Sequence, residues 1–120
     1  MNLKIRAIAL TAVLASLIGP SVAHAENMVT DHDHLNGYAR MTYHHISLNE
    51  GQEAEVAVQG AGNTVLRVSV YDYKNNLIGN TTCRVDTCSV RWVANRDAAF
   101  FVTVENLGAY STSYGFALER

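Results

Sequence analysis

Beyond residue 25 the apolar side chains of this chain fall on alternate positions, and no stretch sustains the three- and four-residue spacing of a helix. Successive side chains of a strand point to opposite faces, so a period of two predicts an all-β fold. Over residues 53–59, Ala54, Val56 and Val58 alternate with Glu53, Glu55, Ala57 and Gln59, which predicts a half-buried strand with a solvated, acidic outer face. Over residues 65–73, Leu66, Val68 and Val70 share one face, and Arg67, Ser69 and Tyr71 share the other. The triplets Cys88, Val90, Trp92, then Phe100, Val102, Val104, then Tyr114, Phe116, Leu118 repeat the pattern. Earlier, residues 40–48 place Met41, Tyr43 and His45 on one face. Gly- and Asn-rich turns separate these runs at residues 49–51, 60–63, 74–76 and 106–112. Seven or so short strands at intervals of about 8–12 residues have the spacing of a β-sandwich or barrel.

The first 25 residues have a different design. Lys4 and Arg6 precede an apolar run over residues 7–18, followed by Gly19-Pro20 and the small-x-small triplet Ala23-His24-Ala25. That order predicts a cleaved secretory leader, and the run is shorter than the roughly 20 residues of a membrane-spanning helix. No twin-arginine pair is present, so the general export route is expected, to the periplasm or the medium. Without Lys4 and Arg6, seven basic residues face eleven acidic ones, a formal charge of −4 with neutral histidine. This balance excludes a basic nucleic-acid binder. The remaining 95 residues suffice for one small domain. We expect a polar N-terminal arm over residues 26–37 and a β-sandwich domain over residues 38–120.

The two cysteines, Cys83 and Cys88, enclose Arg84-Val85-Asp86-Thr87. Four intervening residues suit a disulfide across a hairpin tip better than a redox pair, which usually has two. Oxidising compartments permit the bridge, which would stabilise the chain by about 2 kcal/mol.

Three stretches together resemble the bacterial pre-peptidase C-terminal domain family. "ISLNEGQEAEVAVQG" is similar to its strand–Gly–strand opening, and "LRVSVYDYKNNLIG" to its central strand and turn. "AAFFVTVENLGAYSTSYGFALE" resembles its closing strand, loop and strand. "CSVRW" is similar to small stand-alone exported relatives, where a Cys and a Trp occupy this strand. The resemblance implies an antiparallel, jelly-roll-like β-sandwich of about seven to eight strands. It also implies an accessory, non-catalytic role in substrate binding, solubility or secretion. Many members carry calcium-binding carboxylates before and within the central strand. Here that stretch reads Asn63-Thr64-Val65-Leu66-Arg67, and only Asp72 survives in the strand. Calcium takes six to eight oxygens, several of them from carboxylates, so the family's calcium site is not carried over.

Histidine supplies the remaining chemistry. His32 and His34 interleave with Asp31 and Asp33, and His44 and His45 follow. Imidazole and carboxylate together suit zinc or copper. If residues 31–34 are extended, His32 and His34 point to one side, within reach of His44 or His45 on the next strand. The four would also gain charge together below about pH 6.5. No Gly-x-Ser-x-Gly elbow or Gly-rich phosphate loop marks an enzyme. Tyr71, Tyr73 and Tyr110 are candidates for an exposed aromatic surface, which would suit a protein or polysaccharide partner. The expected function is thus a small exported, non-catalytic binding module. A periplasmic metal binder using His32, His34, His44 and His45 is the alternative, and an inhibitor of a secreted enzyme acting through the tip at residues 84–87 is a second.

Overall fold

The computed structural model describes residues 28–84 and 86–120. The expected leader lies outside them. The described residues form eight antiparallel strands: β1 (Met28–Leu35), β2 (Arg40–Leu48), β3 (Glu53–Gly60), β4 (Leu66–Asp72), β5 (Leu77–Cys83), β6 (Thr87–Val93), β7 (Ala98–Asn106) and β8 (Thr112–Glu119). Sheet A has the order β1-β8-β3-β6 and sheet B the order β2-β7-β4-β5. First pairs with last, second with seventh, third with sixth and fourth with fifth. This nesting is the jelly-roll arrangement that the strand pattern and the resemblance imply.

The alternating apolar residues of β3, β4, β6, β7 and β8 are buried between the sheets: Ala54, Val56, Val58, Leu66, Val68, Val70, Cys88, Val90, Trp92, Phe100, Val102, Val104, Tyr114, Phe116 and Leu118. Leu35, Ile46 and Leu48 join them. Burial at period two is therefore the main organising force.

Three expectations are corrected. Residues 28–35, expected to belong to an arm ahead of the domain, are instead a strand of it. From Met28 to Leu35 the chain pairs with β8, from Met28 opposite Glu119 to Leu35 opposite Thr112. Asp31 is tolerated on the strand because its Oδ2 accepts a hydrogen bond from Tyr43 at 3.2 Å. In β2 the alternation breaks after Tyr43. Tyr43 pairs with Val102 and Ile46 with Phe100, so His44 and His45 together stand opposite Phe101. This β-bulge, with His45 at φ 60°, takes His45 out of the core register and brings in Ile46 and Leu48. Finally, Glu55 is only 3% exposed and is not a solvated residue. It lies on a central strand between Arg91 and Glu119, with Oε2 3.5 Å from Arg91 Nε.

The two sides of the sandwich differ. On one, edge strands β5 and β6 are joined by the Cys83–Cys88 disulfide across their hairpin. On the other, edge strands β1 and β2 carry all four described histidines.

Candidate binding surface

The histidines do not converge. His32 and His34 lie on β1, where the backbone N–H of each donates to the preceding aspartate at 2.8 Å. His34 Nδ1 is 3.4 Å from Ser113 Oγ. His44 and His45 occupy the bulge on the other sheet, and the His44 ring centroid is 6.0 Å from that of Phe101. Among the described residues no group of three or more His, Cys, Asp or Glu is placed to hold one metal ion. Between the two sheets on this side the polar contact runs through tyrosines, from Tyr43 on edge strand β2 to Asp31 on edge strand β1 and to Tyr114 on β8. Tyr43 and Tyr114 meet hydroxyl to hydroxyl at 2.8 Å, and Tyr43 stacks on Phe116 at 3.9 Å. With Tyr114 donating to Tyr43 and Tyr43 to Asp31, all three groups are satisfied. Burial, more than any neighbour, pushes the Tyr114 hydroxyl up to about 12 and that of Tyr43 higher still.

The three candidate tyrosines separate as well. Tyr71 faces outward on β4 and stacks on Phe101 at 5.0 Å. Tyr73 sits beyond the end of β4, where Arg96 Nη1 donates to its hydroxyl at 3.1 Å. Tyr110 is at the opposite end, in the β7–β8 loop. It is there that the structure assembles a surface.

Three loops meet at that end: residues 36–39, 61–65 and 107–111. Their junction is Asn106, 2% exposed at the end of β7. Its Nδ2 donates to the carbonyls of Tyr110 at 2.6 Å, Asn36 at 3.2 Å and Leu35 at 3.4 Å. Its Oδ1 accepts from Thr64 Oγ1 at 2.8 Å and from the Gly108 amide at 3.0 Å. A neutral amide carries two N–H donors, shared here among three carbonyls, and two acceptor lone pairs, so one side chain can tie all three loops. Asn63 adds a second bridge, with Nδ2 donating to the Ser111 carbonyl at 2.8 Å and Oδ1 accepting from Thr112 Oγ1 at 2.7 Å. The loops also touch backbone to backbone. A Cβ on Gly37 would lie 2.2 Å from the Ala109 carbonyl oxygen, so only glycine fits there.

On this frame stand the two most exposed large apolar side chains among the described residues, Tyr38 at 74% and Tyr110 at 73%. Tyr38 has φ 62°, a left-handed conformation that is costly for a bulky residue. It is held there by its amide donating to the Gly108 carbonyl at 3.0 Å. Beside the loops opens a cleft of about 480 Å³, lined in part by Asn63, Thr64, Leu107 and Tyr110, and by Arg84 from the β5–β6 tip. The sequence marks the tip, and it marks Tyr110 and, ahead of the expected first strand, Tyr38 as members of an exposed aromatic set, but nothing in it marks Asn106. A strained backbone at Tyr38 and a buried polar junction thus hold two exposed aromatic side chains on one rigid end.

A second cleft, of about 270 Å³, lies at the opposite end and is lined in part by Tyr73, Ile78, Val93 and Arg96. Asp72 organises the turn there, accepting from the amides of Lys74 at 2.9 Å and Asn76 at 2.8 Å.

No family model matches the chain, and no curated protein matches it significantly. Solved structures do. The chain resembles the pre-peptidase C-terminal domain of a collagenase from Bacillus anthracis with a TM-score of 0.65 at 9% identity, over 76% of this chain and 88% of that one. It resembles the mitogen derived from Yersinia pseudotuberculosis with a TM-score of 0.63 at 10% identity, over 78% and 85%. It resembles a periplasmic inhibitor of g-type lysozyme from Aeromonas hydrophila with a TM-score of 0.58 at 13% identity, over 82% and 91%. At these identities the likeness is one of fold.

Proposed function

We propose that the protein is a small exported, non-catalytic binding module that grips a protein partner through the loop end. The observation that carries this reading is the pair of tyrosines, each almost three-quarters exposed, on loops locked by one buried asparagine. A large exposed aromatic side chain has no role in folding stability that would explain such an investment in rigid support. Tyr and Arg dominate interface hot spots, and Tyr offers contact area at low entropic cost. Prior rigidity lowers the ordering cost of association. The cleft beside Tyr110 would receive a partner side chain next to that anchor.

The test is affinity capture from the exported fraction, with the intact protein and with Tyr38→Ala/Tyr110→Ala as bait. A specific protein retained by the former and lost by the latter, at unchanged unfolding midpoint, is the expected result. Equal retention by both baits, or substrate turnover by the protein alone, would overturn the reading.

A second reading rests on the same surface. Arg84 belongs to the disulfide-closed tip and lines the cleft. A partner that is a secreted enzyme would then be blocked by an inserted tip. A fold of this kind serves as a lysozyme inhibitor in the Aeromonas protein. Loss of muramidase activity on titration with the protein would favour inhibition, and unaltered activity would remove lysozyme from consideration.

A further inference from the structure

The charges around the loop end say what kind of partner it fits. Arg67 and Glu105 pair across β4 and β7, and Arg40 and Glu105 pair across β2 and β7. One carboxylate therefore stands between two guanidinium-bearing strands. Neighbouring strands are about 4.8 Å apart, so the two arginines are rooted about 10 Å from each other. Arg67 engages Glu105 through Nε at 3.3 Å, and no other hydrogen bond of its guanidinium is formed among the described residues. Arg40 is exposed and makes no hydrogen bond or ion pair there. Arg84 adds a third guanidinium at the cleft. Glu105 lies beside two of them, and Asp86 shares the tip with Arg84. A chain that is acidic as a whole thus sets an arginine with no ion pair among the described residues beside each of its two most exposed tyrosines, Arg40 two residues from Tyr38 and Arg84 on the cleft with Tyr110. Exposed charges on one face sum to a field felt by an approaching surface, which salt screens over roughly 8 Å at physiological strength.

Resting on the loop-end reading above, we infer that the partner segment captured there is acidic: a stretch of protein with carboxylates flanking the residue that enters the cleft. Arginine forks on carboxylates give orientation as well as attraction, and the attraction speeds encounter. An anionic polysaccharide would meet the arginines but would leave Tyr38 and Tyr110, standing apart on separate loops, without a shared function.

The probe is a phage-displayed library of random dodecapeptides selected on the intact exported protein. Selected peptides are expected to be enriched in Asp and Glu over the unselected library. Their affinity should fall about three- to tenfold with Arg84→Gln and again with Arg40→Gln, as rim charges do, and should weaken with salt. Both arginines are exposed and form no ion pair among the described residues, so both variants keep the fold. Neutral or basic peptides that still need Tyr38 and Tyr110 overturn the acidic-partner inference alone. Peptides indifferent to Tyr38→Ala/Tyr110→Ala overturn the loop-end reading itself. Retention of the protein on a sulfated polysaccharide, released by Arg40→Gln, with no acidic enrichment among peptides, assigns the arginines to a glycan and overturns the inference.

Discussion

The two ends of the sandwich solve the same problem with different side chains. At the loop end a buried, neutral Asn106 makes five side-chain hydrogen bonds, to three separate loops and to the end of β1. At the turn end an accessible Asp72 accepts three, all from Lys74 and Asn76 within its own turn. A carboxylate only accepts, so it can gather the donors of one turn but cannot hold carbonyls from elsewhere. The amide does both, and tertiary burial makes its loss expensive. The loop end is thus built as a fixed platform, and the turn end as a local closure.

The largest break in this comparison should come from Asn106→Leu. It strands Thr64 Oγ1, the Gly108 amide and the carbonyls of Tyr110, Asn36 and Leu35. Unpaired buried polar groups cost about 1–3 kcal/mol each, and some will relax toward water. We expect a loss of about 3 kcal/mol or more, a fall of over 10 °C in melting temperature for a domain of this size. Chemical denaturation reads it directly. A loss below about 1 kcal/mol would mean that the loops hold themselves together and that the amide is a bystander.

Gly37→Ala tests the same platform by steric means. Its Cβ would meet a backbone oxygen at 2.2 Å, which must move, at a cost of about 1–3 kcal/mol. At the turn end Gly51→Ala meets open space, and only its φ of 83° is strained, at about 1 kcal/mol. The comparison sharpens if Gly37→Ala also abolishes partner capture while Gly51→Ala leaves it intact. Equal loss of capture in both would erase the distinction between the ends.

Replacing Cys83 and Cys88 by Ser should cost about 2 kcal/mol by freeing a short loop in the unfolded chain. Denaturation under identical conditions measures it. Because the tip carries Arg84, capture should weaken as well. Undiminished capture would remove the tip from the surface and leave the tyrosines to act alone.

What could be read in the sequence follows the physics of each region. The core was legible because burial at period two writes itself into every second residue. The break in β2 was also written there: Met41 and Tyr43 are followed by Ile46 and Leu48, a spacing of two, three and two that signals a bulge. β1 was not legible. Asp31-His32-Asp33-His34 has polar residues at both phases, and what makes Asp31 acceptable is the Tyr43 hydroxyl of another sheet. Glu55 misled for the related reason that alternation tells direction and not burial. The loop end was half visible. Residues 106–112 read as a loop, and Tyr110 as a candidate. The role of Asn106 depends on Thr64 and on Leu35 and Asn36, which are brought to it only by the nested pairing of strands.

The smallest effect, and the one most specific to the difference in charge, concerns Asp72. The Asn76 amide and side chain, then the Lys74 amide, hold its carboxyl below the usual carboxylate value of 3.8. A carboxyl with a depressed value in the folded chain contributes stability above the unfolded value. That contribution drains away as pH falls through the folded value. Asn106 carries no charge, so the loop end has no counterpart. On acidification the amides of Lys74 and Asn76 should lose protection from hydrogen exchange before those of Gly108 and Tyr38. In Asp72→Asn the carboxamide oxygen still accepts from the two amides, so the turn should persist at neutral pH while its acid dependence disappears. Global stability at pH 7 should then move less than in any variant above. If the Lys74 and Asn76 amides of Asp72→Asn still lose protection over the same acid range as in the wild type, the charge of Asp72 is not what holds the turn. The contrast between the ends would then be one of burial alone.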